Sequence, residues 1–418
     1  MASSVDPRID GLLAGVKVVE FAQNAAVPQC GRLLAGMGAD VVKVEPPAGD
    51  AMRHLAAIAP NESRAYATIN PGKRAICLDL TDPTAPEIVE RLISWADILL
   101  VGLKRADFER YGLDWESVQR INPAVVSLEF TAFGPVGPDA DRGGYDQLVQ
   151  GASGLGWSMN RSVDDVPLPT RPAAIDFGSG GYAAAAVMAA LRHAEKTGQG
   201  QRVDASLLGT AMSLGTPILS AFDHDADRLV ELREEMTALR DAGTGFDDQR
   251  GHYDQRVVAF GGLFRLYVRP FQTADGVISI AGYSPALMAK FHELTGLDPV
   301  PTGVADSDPS IRAVIDAAEE LFASRSSADW LADLTAIGYP CSPYNTPYEA
   351  IETEQVEANR YVVDLEHAVY GGYRTVGMPF SFSDAPVAVD RPAPSLGEHT
   401  AEVLGELGFS PNEIARHL

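Results

Sequence analysis

Short apolar runs alternate with amphipathic stretches through the first 130 residues of the chain. The pattern predicts strands over 16–21, 40–45, 75–80, 97–101 and 124–130, and helices over 30–37, 86–95 and 115–121. Strand–helix–strand repeats of this kind form a parallel sheet with helices on both faces. We therefore expect an α/β fold whose ligands bind beyond the carboxyl ends of the strands.

A second, smaller α/β domain is predicted in the middle of the chain. Residues 264–269 and 277–281 flank an Ala274–Gly276 turn and predict a hairpin, with a helix over 285–294. The charged stretch 223–254 is typical of an irregular connection. Residues 340–347, punctuated by proline, predict a return segment, and 400–407 a closing helix.

Charge limits the partners that this chain can bind. With 33 Lys and Arg against 57 Asp and Glu, the net charge is −24, which disfavours nonspecific binding to nucleic acid or an anionic membrane. Any anionic ligand needs a local basic pocket, for which Lys73-Arg74 and Lys104-Arg105 are candidates. No run approaches the roughly 20 apolar residues that cross a bilayer, so we expect a cytoplasmic protein with no membrane partner.

The chain lacks the motifs that characterise several other classes of protein. The three cysteines have no C-x-x-C spacing, so neither a disulfide framework nor a metal site is expected. The segment between Phe21 and Arg32 lacks the G-x-G-x-x-G of a dinucleotide site, which disfavours an NAD-dependent oxidoreductase. No P-loop, H-E-x-x-H or serine–histidine–acid order appears.

Asp176 is the acidic residue with the most suggestive setting. It lies between an apolar run and the small residues Gly178, Ser179 and Gly180, just before a predicted long helix. Asp is a preferred helix cap, and this structural interpretation remains open. A carboxylate held against a glycine-rich backbone is also a usable nucleophile. The tight loop 133–138 and the pair Tyr145-Asp146 allow either a structural or a functional interpretation.

Nine segments, in order along nearly the whole chain, resemble the family III CoA-transferases of the formyl-CoA and carnitine type. They are Leu13–Phe21, Leu33–Pro47, Gly49–Arg53, Lys73–Leu80, Ala96–Val101, Arg110–Asp114, Phe133–Pro138, Lys196–Leu208 and Pro394–Leu404. The resemblance implies a large Rossmann-like domain built from both termini, a smaller α/β middle domain and an interlocked homodimer. The implied boundaries are 1–220 and 340–418 for the large domain, 221–254 for a linker, and 255–339 for the small domain with its return linker.

The resemblance also implies an activity: CoA passes from an acyl-CoA donor to a carboxylic acid acceptor. Asp176 matches the family nucleophile, which forms aspartyl anhydride and aspartyl-CoA thioester intermediates. Tyr145 and Asp146 match further catalytic positions. No permanently bound cofactor is implied, because the CoA thioester is itself a substrate.

The matched CoA-binding positions are Gln23, Arg53, Lys73, Arg74, Lys104, Phe133, Gly134 and Gly137. Lys104 stands where many members have arginine, so that a bidentate phosphate contact becomes a point charge. The alternative within the same fold is an α-methylacyl-CoA racemase, which needs two bases. Tyr145 and Gln272 occupy those positions here, and neither type of side chain is a good base at neutral pH. A non-catalytic CoA-binding relative is a further alternative.

Overall fold

The computed structural model describes residues 11–257, 266–300 and 309–417. The strands are β1 Lys17–Ala22, β2 Asp40–Glu45, β3 Ala57–Ala59, β4 Glu62–Ser63, β5 Arg74–Cys77, β6 Ile98–Gly102, β7 Val126–Thr131, β8 Ser162–Val163, β9 Val166–Pro167, β10 Gln201–Ser206, β11 Val268–Gln272, β12 Val277–Ala281, β13 Cys341–Pro343, β14 Val362–His367 and β15 Gly371–Val376.

The helices of the described residues follow the same numbering along the chain. They are α1 Ala26–Gly36, α2 Arg64–Ile69, α3 Ala85–Trp95, α4 Arg105–Arg110, α5 Trp115–Ile121, α6 Asp146–Ala152, α7 Leu155–Met159, α8 Ala174–Thr197, α9 Leu207–Leu214, α10 Thr216–Leu219, α11 Ala226–Asp241, α12 Phe246–Val257, α13 Pro285–Thr295, α14 Pro309–Ala323, α15 Ser327–Ala336, α16 Pro347–Ile351, α17 Glu354–Ala358, α18 Thr400–Glu406 and α19 Pro411–Ile414. Ala51–His54 and Asp223–Asp225 form short 3-10 helices.

A six-stranded parallel sheet in the order β10-β7-β6-β1-β2-β5 forms the centre of the large unit. Its strands are almost continuously apolar because helices cover both faces. On β1, for example, Val18 belongs to the core beneath α1 and α8, whereas the next residue, Val19, packs on the α3 side. The predicted α/β fold with a parallel central sheet is confirmed.

The large unit comprises Met1–Arg161, Pro167–Ser220 and Glu354–Leu418, as far as these are described. Its C-terminal segment is held by specific long-range contacts. Arg74 on β5 pairs with Glu402 and Glu406 on α18, at 2.9 Å in each case. The adjacent backbone N–H of Cys77 donates to the Thr400 hydroxyl at 3.0 Å. These contacts bring α18 against the sheet edge.

The smaller unit comprises Ala221–Thr353 together with the hairpin residues Ser162–Val166. Its antiparallel sheet has the order β11-β12-β13. An aromatic stack forms the core beside it: the Phe322 ring lies 4.2 Å from Phe271 and 4.4 Å from Trp330, between centroids. Because β13 is the third strand of this sheet, the unit extends beyond residue 340, where we expected the large domain to resume.

The expectation of an irregular connection over 223–254 is wrong, because the helices α11 and α12 occupy most of it. Both helices are strongly charged, and few of their residues are buried, so no apolar periodicity marks them. Glu235 joins them through His252 at 2.8 Å and Arg256 at 2.9 Å. Of the predicted first hairpin strand, residues 264 and 265 lie outside the described residues, and β11 begins at Val268.

Helix α8 starts at Ala174, two residues before Asp176 rather than after it. Its length and composition would allow it to cross a membrane, the one such helix among the described residues. It packs extensively on α1, however, and its buried residues, among them Val187 and Leu191, belong to the core of the large unit. In the structure α8 is therefore a core helix of the large unit.

Candidate active site

Asp176 lies in the first turn of α8, but it does not cap the helix. The N-cap position is Ala173, whose methyl side chain has no atom that could accept a hydrogen bond. The capping acceptor is instead the Asp146 carboxylate of α6, whose Oδ2 accepts from the backbone N–H groups of Ile175 at 2.9 Å and Asp176 at 3.0 Å. The helix-cap interpretation of Asp176 is therefore wrong, and its own carboxyl group is left available for other chemistry.

The electrostatic setting of Asp176 is unusual for a residue so near a helix N-terminus. Burial, followed by the neighbouring Asp146 charge, raises the pKa of the Asp176 carboxyl to about 7. Within the described residues this carboxyl makes no hydrogen bond or ion pair of its own. Asp176 is thus an unpaired acid that changes charge near neutral pH, a property common at functional sites.

A close approach between helices places this turn near the carboxyl end of β1. A Cβ at Gly180 would lie 2.5 Å from Gln29 Cγ and 3.0 Å from the Ala26 carbonyl oxygen, both on α1. Only glycine therefore permits α8 to pass so close to α1. Since α1 follows β1 directly, the first turn of α8 lies beside the edge of the sheet where ligands of such folds bind.

Other predicted site residues follow strand ends at the same carboxyl edge. Gln23 follows β1 and is partly buried, and its side-chain oxygen accepts from the Ala51 N–H at 3.4 Å. Lys104, after β6, is exposed at the start of α4. The loop 133–138 follows β7, where Gly134 and Gly137 have φ of 101° and 103°, a conformation that favours glycine.

Two arginines hold the loop after β7: Arg105, already named in the basic pair Lys104-Arg105, and Arg142, which sequence analysis did not assign to the site. Arg105 donates to the Pro135 carbonyl at 3.0 Å. Arg142 stacks over the partly buried Phe133 ring, 4.9 Å from its centroid. Tyr145, which ends this segment and precedes α6, has an exposed side chain. The edge therefore combines cationic, aromatic and backbone donor groups.

Arg53 does not lie where a CoA phosphate could reach it. Its buried guanidinium makes a bidentate pair with Glu45, with both contacts at 2.7 Å, and stacks on the Tyr66 ring. Arg53 also donates to the carbonyls of Asn61 and Pro394, at 3.0 Å in each case. A phosphate contact would require breaking this buried arrangement, and the CoA contact of Arg53 stays a prediction.

Lys73 and Arg74 are likewise buried and paired. The three donors of Lys73 go to Glu20, the Pro28 carbonyl and Asn70, each at 2.8 Å. Burial lowers the pKa of Lys73 to about 8. Arg74 pairs with Asp40 as well as with α18. Both residues are therefore held in ion pairs, and their phosphate contacts stay predictions.

Sequence analysis missed the buried network that these pairs belong to. Lys43 bridges Glu20 and Asp50, at 2.9 Å from each, and donates to the Ala22 carbonyl at 2.6 Å. Asp50 in turn accepts from the backbone N–H of Asn24 at 3.1 Å. The network therefore fixes the turn after β1 that carries Gln23. The sequence did contain a signal for this network, namely the charged residues Glu20 and Lys43 within the apolar runs of β1 and β2.

An open parallel sheet with an ionisable carboxyl beside its carboxyl edge is typical of α/β enzymes, which bind their ligands at that edge. The sequence model described as CoA-transferase family III matches residues 13–400. The chain belongs to this family and is a CoA-transferase. The resemblance identified from its motifs is confirmed.

Curated relatives match over almost their full length. A succinate–glutarate CoA-transferase of Agrobacterium fabrum is 31% identical, with 94% of this chain and 95% of the relative covered. A formyl-CoA:oxalate CoA-transferase of Bradyrhizobium diazoefficiens is 30% identical, with 96% and 95% covered. A solved CAIB/BAIF family protein from Brucella suis has a TM-score of 0.72 and 28% identity, with 95% of this chain and 100% of that chain covered.

Proposed function

We propose that this CoA-transferase works by covalent catalysis through Asp176. The observation that carries the proposal is the unpaired carboxyl on the first turn of α8, which ionises near neutral pH. A carboxylate without hydrogen-bond partners keeps its lone pairs available for attack on an acyl carbon. Its partial burial limits access of water, which would otherwise hydrolyse the intermediates.

The proposed reaction keeps one activated acyl bond, either a thioester or an anhydride, at every stage. The Asp176 carboxylate attacks the donor thioester carbonyl, forming a mixed anhydride and releasing CoA as a thiolate. The thiolate attacks the aspartyl carbonyl, forming an aspartyl-CoA thioester and releasing the donor acid. The acceptor carboxylate then attacks this thioester, forming a second anhydride and freeing the thiolate again. Attack of the thiolate on the acceptor acyl carbon gives the new acyl-CoA and restores Asp176.

CoA is proposed to bind at the carboxyl edge of the sheet. Lys104 supplies an exposed cation for a phosphate, and Gln23, Phe133, Gly134 and Gly137 lie on the segments that follow β1 and β7. Tyr145, exposed just ahead of Asp146, is proposed to contact the acyl group. In this assignment Arg53, Lys73 and Arg74 support the fold of the site and do not contact CoA.

The substrates are proposed to be small carboxylic acids. The relatives carry names that include succinate, glutarate, oxalate and L-malate, each a short dicarboxylate. A screen with succinyl-CoA and acetyl-CoA as donors should give new CoA esters of short dicarboxylates, detected by mass spectrometry. Failure of every acid to accept CoA would contradict this substrate class.

The same purified enzyme can be used to test the alternative that the protein is a racemase. Tyr145 is exposed, and Gln272 lies exposed on β11 of the smaller unit, so neither position provides a carboxylate or imidazole base. Incubation with 2-methylacyl-CoA in deuterated water should therefore introduce no α-deuterium. Rapid exchange without transfer to an acceptor would oppose the transferase assignment.

A further inference from the structure

Gln150 is a buried amide on α6, one helical turn after Asp146, and all of its hydrogen-bonding capacity is used. Its Nε2 donates to Asp146 Oδ1 and to the Thr170 carbonyl, the latter at 3.3 Å. Its Oε1 accepts from the Thr170 N–H at 2.9 Å and from Asn160 Nδ2 at 3.2 Å. Because both donors and both acceptor positions of the amide have partners, the side chain is fixed in one place.

The chemistry of the partners also fixes which way round the amide points. The backbone N–H of Thr170 can only donate, so the atom that faces it must be the oxygen of Gln150. The nitrogen must then face Asp146. Asn160 is oriented in the same sense, because its oxygen accepts from the Thr170 hydroxyl and its nitrogen donates to Gln150.

Asp146 consequently receives N–H donors on both of its oxygens. Oδ1 accepts from Gln150, and Oδ2 accepts from the backbone N–H groups of Ile175 and Asp176. These contacts hold the Asp146 carboxylate in place next to Asp176.

We propose that Gln150 is a positioning residue, whose amide holds the Asp146 carboxylate in the helix-capping orientation that sets the location and charge environment of Asp176. This inference rests on the proposed function of Asp176 and deepens it. Asp146 is the charged group that acts on Asp176. The other helices that pack on α8 bring uncharged side chains near its first turns: Thr210 and Leu214 on α9 and Gln29 on α1.

The first test exchanges the carboxylate of Asp146 and the amide of Gln150 between the two positions. In Asp146→Asn the new amide must either place a donor against Gln150 or turn its donor towards the helix N–H groups. Adding Gln150→Glu supplies an acceptor for that donor but removes the donor to the Thr170 carbonyl, so the double variant should recover part of the transfer activity that Asp146→Asn loses. Equal effects of Gln150→Glu in both backgrounds would contradict the proposal.

The titration of Asp176 gives a readout that a purely structural role would not change. It is followed by ¹³C NMR of aspartate-labelled protein without substrates and assigned with Asp176→Asn. Asp146→Asn should lower the midpoint from about 7 by roughly one unit, and adding Gln150→Glu should move it part of the way back, because a charge returns. An unchanged midpoint in both variants would overturn the inference.

A second comparison remains decisive if Asp146→Asn fails to fold. Gln150→Glu alone places a buried carboxyl against Asp146 Oδ1, where its charged form is disfavoured, so its stability should fall as pH rises from 4 to 8. Gln147→Glu is the matched control, since Gln147 is exposed on the same helix. Identical pH dependence of the two variants would contradict the proposed contact. Because neither titration nor stability requires turnover, a negative acceptor screen would refute the transferase chemistry without deciding this inference.

Discussion

Asp176 and Asp146 are neighbouring acids with different roles. The carboxyl of Asp176 is unpaired, whereas the carboxylate of Asp146 is fully paired. Asp146 caps α8 through two backbone N–H groups. Asp176 has no partner of its own among the described residues, and burial beside Asp146 raises its pKa to about 7. Environment, rather than residue type, therefore determines which of the two acids is available for attack.

The raised pKa of Asp176 predicts opposite pH trends for activity and for stability. The value of kcat/KM should rise through a midpoint near 7, because only the ionised carboxylate attacks. Stability from this group is full below its unfolded pKa and is lost as pH rises through 7. Asp176→Asn should therefore be about 1–2 kcal/mol more stable than the unsubstituted protein at pH 8 and equal to it near pH 4. Denaturant unfolding at the two pH values measures this, and equal effects at both would contradict it.

The buried and exposed lysines should respond differently to removal. Lys104→Ala should raise KM for CoA thioesters with little change in folding, because its exposed ammonium is proposed to contact a phosphate. Lys73→Met should instead destabilise the protein by about 3–5 kcal/mol, because it leaves Glu20 with one fewer buried partner. Thermal unfolding and steady-state kinetics separate these outcomes, and a raised KM in a fully stable Lys73→Met protein would restore Lys73 as a CoA contact.

At the scale of elements, the site depends on where α8 starts and on how closely it passes α1. Gly180 allows the contact with Gln29 and Ala26. Lys43 donates to the Ala22 carbonyl at the end of β1, and Lys73 donates to the Pro28 carbonyl within α1. Together these contacts set the place of the first turn of α8 relative to the end of β1.

Two adjacent glycines on α8 provide a matched test of this helix contact. Gly180→Ala should cost about 1–3 kcal/mol and lower kcat, because the new methyl group overlaps α1 and displaces the turn carrying Asp176. Gly181→Ala should stabilise the helix by up to about 1 kcal/mol, since no atom lies within 4 Å of its added Cβ. Chemical denaturation and kinetics test both, and an innocuous Gly180→Ala would show that the close contact is dispensable.

Sequence periodicity predicted the elements of the sheet well, and β2 and α5 match their predicted bounds. It failed for α11 and α12, which are charged and bury few residues, so that no apolar stripe distinguishes them from a connection. For the site, the family motif identified Asp176, but sequence alone could not show that Asp146 caps its helix. The buried ion pair of Arg53 could not be predicted for a related reason: its partner Glu45 is buried beside it only in the folded chain.

At the scale of the whole molecule, the proposal is an interlocked homodimer of two-unit chains. Several large apolar side chains of the α8–α9 region are exposed in the single chain, among them Phe177, Tyr182, Met212 and Leu214. Burial of such a cluster is a common reason for permanent association. It lies on the elements that surround Asp176.

The dimer proposal predicts a mass that does not depend on concentration. Analytical ultracentrifugation should give twice the 44.5 kDa of the chain over a wide dilution range, with dissociation accompanying unfolding. Replacing Met212 and Leu214 by serine should reduce the yield of folded dimer, whereas serine at Val136, which is exposed on the loop 133–138, should not. A stable folded monomer would refute the assembly.

The covalent role of Asp176 is tested most directly by trapping the acyl-enzyme. Incubation with an acyl-CoA donor and no acceptor, followed by hydroxylamine or borohydride, should modify one peptide at Asp176, as read by mass spectrometry. Asp176→Asn should fold normally, because Asp146 rather than Asp176 caps α8, yet it should give no adduct and no transfer. A folded Asp176→Asn protein with near-normal transfer rates, or an adduct on another residue, would contradict the account.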